Sequence, residues 1–129
     1  MDIVSSIGNY NKEQILDIVK KVTALLDEKI SYSNSEKVRE FISRLSAYRG
    51  RLIAVEAQMK RIYIDKIEIA IEDKIMNGNN REMREHQLNI FIKEEKENLD
   101  LFKKYREELA QKITNCSSTL KSIDLYRSM

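Results

Sequence analysis

Few side chains in this sequence could do covalent or acid–base chemistry. There is one histidine, His86, within Arg84-Glu85-His86-Gln87, and one cysteine, Cys116, at an apolar position of a helical repeat. Catalytic constellations need partners within reach. A lone histidine in a polar helical stretch is a solvated residue, and a lone cysteine in an apolar repeat is a small buried hydrophobe. No glycine-rich phosphate loop, H-E-x-x-H pair or Cys-based zinc spacing occurs. The carboxylates lie along helical segments among basic neighbours, with no apolar pair suited to proton transfer. The sequence therefore predicts a non-enzymatic protein without metal or cofactor.

The basic side chains are more informative. Between Arg44 and Arg61 lie Arg44, Arg49, Arg51, Lys60 and Arg61, with Glu56 the one acid among them and with Tyr48 and, just beyond, Tyr63 interleaved. Cations that follow phosphates and rings that stack on bases are the means by which proteins grip single-stranded nucleic acid. The competing reading is of solvated helix charges, or of ion pairs to Glu107 and Glu108 across a folded hairpin. Net charge does not decide, since 23 Lys and Arg balance 21 Asp and Glu to leave +2. What matters is where the charges sit.

The elements that position these residues follow from periodicity. The chain of 129 residues has no Pro and three Gly, which excludes a turn-rich β-sandwich or barrel. Residues 1–10 are expected to be a loose arm. Asn11 with Gln14 makes a capping-box start, and Ile15, Ile18, Val19, Val22, Leu25 and Leu26 mark the face of a helix over 11–30. Ser33 with Glu36 starts a second, long helix over 34–76. Its apolar positions Val38, Phe41, Leu45, Tyr48, Leu52, Val55, Met59 and Ile62 alternate by three and four, a heptad seam. Unbroken, it would be roughly 60 Å long. Gly50 weakens it, and the alternation of Ile67, Ile69 and Ile71 leaves a short strand as an alternative, with helix favoured by the continuing charge pattern. Asn77-Gly78-Asn79-Asn80 is a turn. A third helix over 81–126 resumes the seam at Leu88, with Glu95 and Arg106 at seam positions. With the seam as a and d, Arg49 falls at e and Lys37, Arg44 and Arg51 at g, while the last helix places Lys96 and Lys103 at e and Lys112 at g. Its acids Glu94, Glu97, Asp100, Glu107 and Glu108 fall on the outer face. That sorting predicts a basic groove beside the seam.

The fold class predicted is all-α, one domain over 1–129, a long coiled-coil-like helical hairpin with a shorter N-terminal helix. The first helix covers only part of a hairpin twice its length, and Phe91, Leu101, Tyr105 and Leu125 form a surplus apolar strip. Small, thin domains bury too little surface, so self-association is expected. No apolar run approaches membrane-spanning length, and Met1-Asp2-Ile3-Val4 is unlike a signal peptide. The expected setting is soluble and cytoplasmic.

At Val55-Glu56-Ala57-Gln58-Met59-Lys60 the sequence resembles the UvsY family of bacteriophage recombination mediators, in which an I-E-A-Q-x-K segment on a long helix precedes a Gly/Asp-rich turn and a charged helix. Tyr105, Cys116, Leu120, Lys121 and Ser122 also resemble that family's C-terminal helix. The likeness runs over residues 38–122 and its motifs are short. It implies an all-α, ring-like homo-oligomer that binds single-stranded DNA and helps load a RecA-like recombinase onto strands covered by a single-stranded-DNA-binding protein, here in the cytoplasm of an infected bacterium. It implies a basic DNA-contacting pair shortly after the A-Q-x-K segment. Lys66 matches one member, whereas Ile64 stands where the other would be, and Lys60 and Arg61 substitute by position. It also implies an oligomer-forming helix at 109–123, which with the surplus strip gives Phe102, Tyr105, Leu109, Ile113 and Leu120 as the self-association surface. The alternative is a helical-hairpin adaptor, or a phage-encoded inhibitor of a host complex, that binds protein and no nucleic acid.

Overall fold

A computed structural model describes residues 9–128; most of the expected loose arm, residues 1–8, lies outside them. The chain is all-α, and its two long helices pack together. The helices are α1 (Lys12–Asp27), α2 (Ser35–Glu72), α3 (Arg81–Phe91) and α4 (Lys93–Ser128). Among the described residues there is no strand, so the alternating isoleucines after Ile62 are helical. The described residues fall into two compact units. One comprises residues 10–54 and 104–128, the other residues 55–103 with Asn9.

Capping explains most boundaries. Asn11 accepts from the Gln14 backbone at 2.8 Å while Gln14 Oε1 accepts from the Asn11 backbone at 2.9 Å, the reciprocal pair that satisfies two of the donors a helix start leaves unmade. Asn34 Oδ1 accepts from the backbone N–H groups of Glu36 and Lys37 and opens α2, so the cap is Asn34 rather than Ser33. Asn80 does the same for α3, accepting from Met83 N at 2.8 Å.

Two ends differ from the sequence reading. Helix α2 stops at Glu72, four residues short of 76. Lys74 takes a left-handed conformation with φ 53°, Ile75 N donates to Ala70 O at 3.0 Å and Lys74 N to Ile71 O at 3.3 Å. This is a Schellman turn closed by a lysine where glycine is usual, and nothing in the residue types signals it. The last helix, expected whole over 81–126, is interrupted at Ile92, whose φ of −104° and ψ of 7° separate α3 from α4. The ladder runs on through the break, from Ile92 N to Leu88 O and from Lys96 N to Ile92 O, both 3.0 Å.

The first unit has a three-helix core: Ile18, Val22 and Leu25 of α1, Val38, Phe41, Leu45 and Leu52 of α2, and Leu109 and Cys116 of α4 are all buried. The second unit buries only Val55, Ala70, Ile92 and Phe102 among its hydrophobic residues. The heptad seam holds through Val55 and then fails. Ile62 is 49 % exposed, whereas Tyr63, Lys66 and Ile67 are half-buried. An α-helix drifts about 20° per heptad from a strict seven-residue repeat. Three heptads beyond Val38 the inward line has moved by more than half a residue, and position 63 replaces 62. The same drift brings Ala70 inward in place of Ile69, so Ala70 is buried while Ile69 and, near the helix end, Ile71 are exposed.

Candidate nucleic-acid interface

The predicted phosphate-binding cations stand on α2, and the structure separates them. In the first unit, Arg44 and Arg51 lie about 20° apart around the helix axis, while Arg49 is about 160° from Arg51 at 100° per residue. They do not share a face. Arg44 carries an ion pair to Glu28, Nη2 to Oε2 at 2.8 Å, and lies 5.3 Å from the centroid of the Phe41 ring. The partner is an acid just beyond α1, not Glu107 or Glu108; Glu108 approaches Lys104 at 3.9 Å within its own helix. Arg51 is exposed and covers the Tyr48 ring at 4.7 Å, so the face on which a base would stack carries a guanidinium. Arg49 is half-buried and its Nε is enclosed without a partner.

In the second unit Lys60 and Arg61 are exposed. Arg61 Nη2 reaches Asn9 Oδ1 at a long 3.4 Å. Tyr63 is half-buried. Lys66 is turned inward: its ammonium pairs with Glu95 at 2.5 Å and lies 4.8 Å from the Phe91 centroid. The Lys66 bond is the main reason the Glu95 carboxyl is held below its ordinary value, with burial opposing. Glu95 Oε2 has no partner and is buried. The charged interruption of the seam at Glu95 is thus answered by a lysine on the facing helix. Ile64, at the place of the second cation that the resemblance implies, is 44 % exposed.

The basic flank loses another member. Lys112 Nζ donates to the carbonyls of Leu25, Leu26 and Glu28 at 2.7, 2.7 and 2.8 Å and lies 5.2 Å from the Phe41 centroid. All three ammonium protons are used. Helix α1 has no basic residue in its own last turn, and α4 supplies the cation that its carbonyl end attracts. Arg127, at the other end of α4, donates to Ser35 Oγ at 2.9 Å and Ser33 O at 3.2 Å beside the start of α2. Sequence reasoning did not assign either role, since each partner lies more than 80 residues away along the chain.

Of the expected self-association residues, Phe102 and Leu109 are buried in the chain's own core at 3 % and 0 % exposure, and Tyr105, Ile113 and Leu120 are half-buried. The larger exposed apolar side chains of the second unit lie elsewhere, with Ile62, Ile69 and Ile71 on α2 and Ile90 on α3. Their signal was available in the isoleucine alternation.

Among the described residues no group of three or more His, Cys, Asp or Glu side chains converges as a metal site, and no helix is long and apolar enough to cross a membrane. His86 is exposed and Cys116 buried. The Tyr32 hydroxyl lies 3.6 Å from Cys116 Sγ, a contact that, ahead of burial, pushes the phenol up. No protein-family model, characterised protein or solved structure matches the chain.

Proposed function

We propose that the protein is a non-enzymatic, single-stranded-DNA-binding recombination mediator that works as a homo-oligomer and assists a RecA-like recombinase on strands covered by a single-stranded-DNA-binding protein. The observation that carries this reading is one stretch of α2. The A-Q-x-K segment that resembles the UvsY family ends at Lys60, and exposed Lys60 and Arg61 are followed directly by exposed Ile62 and Ile64. Exposed cations next to exposed apolar side chains support a phosphate-binding surface beside a subunit contact.

Oligomerisation is what makes so few cations sufficient. One chain presents Arg51, Lys60 and Arg61 with little internal use. Each neutralised phosphate contributes a modest salt-dependent increment, and linking several chains on one strand multiplies the effect through raised local concentration. The experiment is a salt titration of oligonucleotide binding by fluorescence anisotropy, paired with solution mass by light scattering. Affinity is expected to fall steeply with salt, and Lys60→Glu with Arg61→Glu to flatten the slope by about 1.4 per protomer. Absence of binding at low salt overturns the reading.

The internal pairing of Arg44, Lys66 and Lys112 favours a second reading, a helical protein-binding adaptor. It expects no oligonucleotide binding and function that survives charge reversal at Lys60 and Arg61.

A further inference from the structure

Beside the turn that joins α2 to α3 lies an open cleft of about 480 Å³, contained within the second unit. Its floor is aliphatic: Ala70, Ile71, Met76 and Leu88. Ile71 is 60 % exposed although it lines the cleft, so its apolar surface is left open among the described residues. The rim carries Lys74, Arg81 and Arg84 against one carboxylate, Glu85.

The three cations differ in how they are set. Lys74 occupies the left-handed position of the Schellman turn, which fixes where its side chain leaves the backbone. Arg84 Nη1 donates to Gly78 O at 3.2 Å. Arg81 Nε donates to Glu85 Oε1 at 2.9 Å, with the Arg81 side chain still 87 % exposed.

We infer that this cleft docks an acidic peptide segment of a partner protein, with an apolar side chain seated on Ile71 and Leu88 and flanking carboxylates on Lys74, Arg81 and Arg84. Charge complementarity selects that occupant, because the rim is net positive while the floor rewards burial of an apolar group. An oligonucleotide fits the same rim poorly. The lining offers no aromatic ring on which a base could stack.

The test uses the whole chain and a fluorescein-labelled decapeptide of Asp and Glu with a central Leu-Phe pair, followed by fluorescence anisotropy at low salt. Saturable binding is expected. The double variant Lys74→Glu, Arg81→Glu should weaken it at least about tenfold. Ile71→Ser, an exposed change that leaves the helical circular dichroism intact, should weaken it about three- to tenfold, and so should replacing the peptide's Leu-Phe pair by two serines. Three outcomes overturn the inference: no binding; binding that ignores Ile71→Ser and the serine peptide, which is surface charge alone; or peptide displaced by a single-stranded oligonucleotide with unchanged sensitivity to Lys74→Glu and Arg81→Glu. Ile71→Ser that lowers the mass seen by light scattering while leaving the peptide bound also overturns it, because the face is then an interface between copies of this chain.

Discussion

The two compact units are built from parts of the same long helices but solve burial differently. In the unit of residues 10–54 and 104–128, a third helix lies over the pair, and Phe41, Leu45 and Leu109 are fully enclosed. In the unit of residues 55–103 the third element is α3, only 11 residues long with no buried residue of its own. There Ile62, Ile69, Ile71 and Ile90 keep 46–63 % of their surface. Two helices alone cannot enclose a core. The covering helix gives the first unit its enclosed core, although that unit also exposes Leu16, Leu125 and Tyr126 at 58–80 %. Among the described residues the second unit has little enclosed core and carries the isoleucine surface, the exposed Lys60 and Arg61, and the cleft.

If that division holds, truncating the closed core must hurt most. Phe41→Ala should cost about 3–5 kcal/mol, read from the midpoint of chemical denaturation, whereas Ile69→Ser should change stability by less than about 0.5 kcal/mol. Similar costs for the two would erase the distinction. Next in size is Lys112→Met, which keeps the stem against Phe41 but leaves the carbonyls of Leu25, Leu26 and Glu28 without their donor. A loss of about 2 kcal/mol is expected, with amide exchange fastest at the end of α1.

The second unit holds a part-buried ion pair, Lys66 with Glu95, that responds to acid. The Glu95 carboxyl lies below its ordinary value chiefly through the Lys66 bond. A depressed folded value stabilises the fold above the unfolded carboxylate value of about 4.3, and that contribution disappears as pH falls through the folded value. Glu95→Gln should cost about 1–2 kcal/mol at neutral pH and remove this part of the acid dependence. Denaturation followed from pH 7 down to pH 3 measures it, and a parallel loss in both proteins would refute the assignment. The net cost is kept small because Glu95 Oε2 is buried unsatisfied, so desolvation offsets part of the gain.

Local signals were legible and long-range ones were not. The Asn11–Gln14 box, the turn at Asn77–Asn80 and the seam from Val38 to Val55 are spelled by neighbouring residues, and each stands in the structure. The basic groove is not spelled that way. Heptad letters place Arg44, Lys112 and Arg51 beside one seam, but their partners Glu28, the α1 carbonyls and Tyr48 depend on how α1 meets the pair and on side-chain reach. Lys66 itself stands on the strict repeat, four heptads from Val38, but its partner Glu95 lies 29 residues away on another helix, which no short motif encodes. The left-handed Lys74 had no signal at all.

The two described glycines separate the units by the sign of the effect. Gly50 sits inside α2 with nothing within 4 Å of an added Cβ. Gly50→Ala gains helix propensity without a clash and should raise stability by about 0.5–1 kcal/mol. Gly78 is the opposite case. An added Cβ would lie 2.5 Å from Met83 Cβ and 3.2 Å from Arg84 N, at the turn where Gly78 N donates to Gln87 Oε1 at 2.9 Å and Gln87 Nε2 donates to Asn77 Oδ1 at 2.9 Å. The start of α3 must shift to admit a methyl group, and those bonds lengthen with it. Gly78→Ala should therefore destabilise by about 1–3 kcal/mol. Because the strain is confined to the unit of residues 55–103, amide protection should fall in α3 and hold in α1; an equal loss in both would mean that the two units unfold as one.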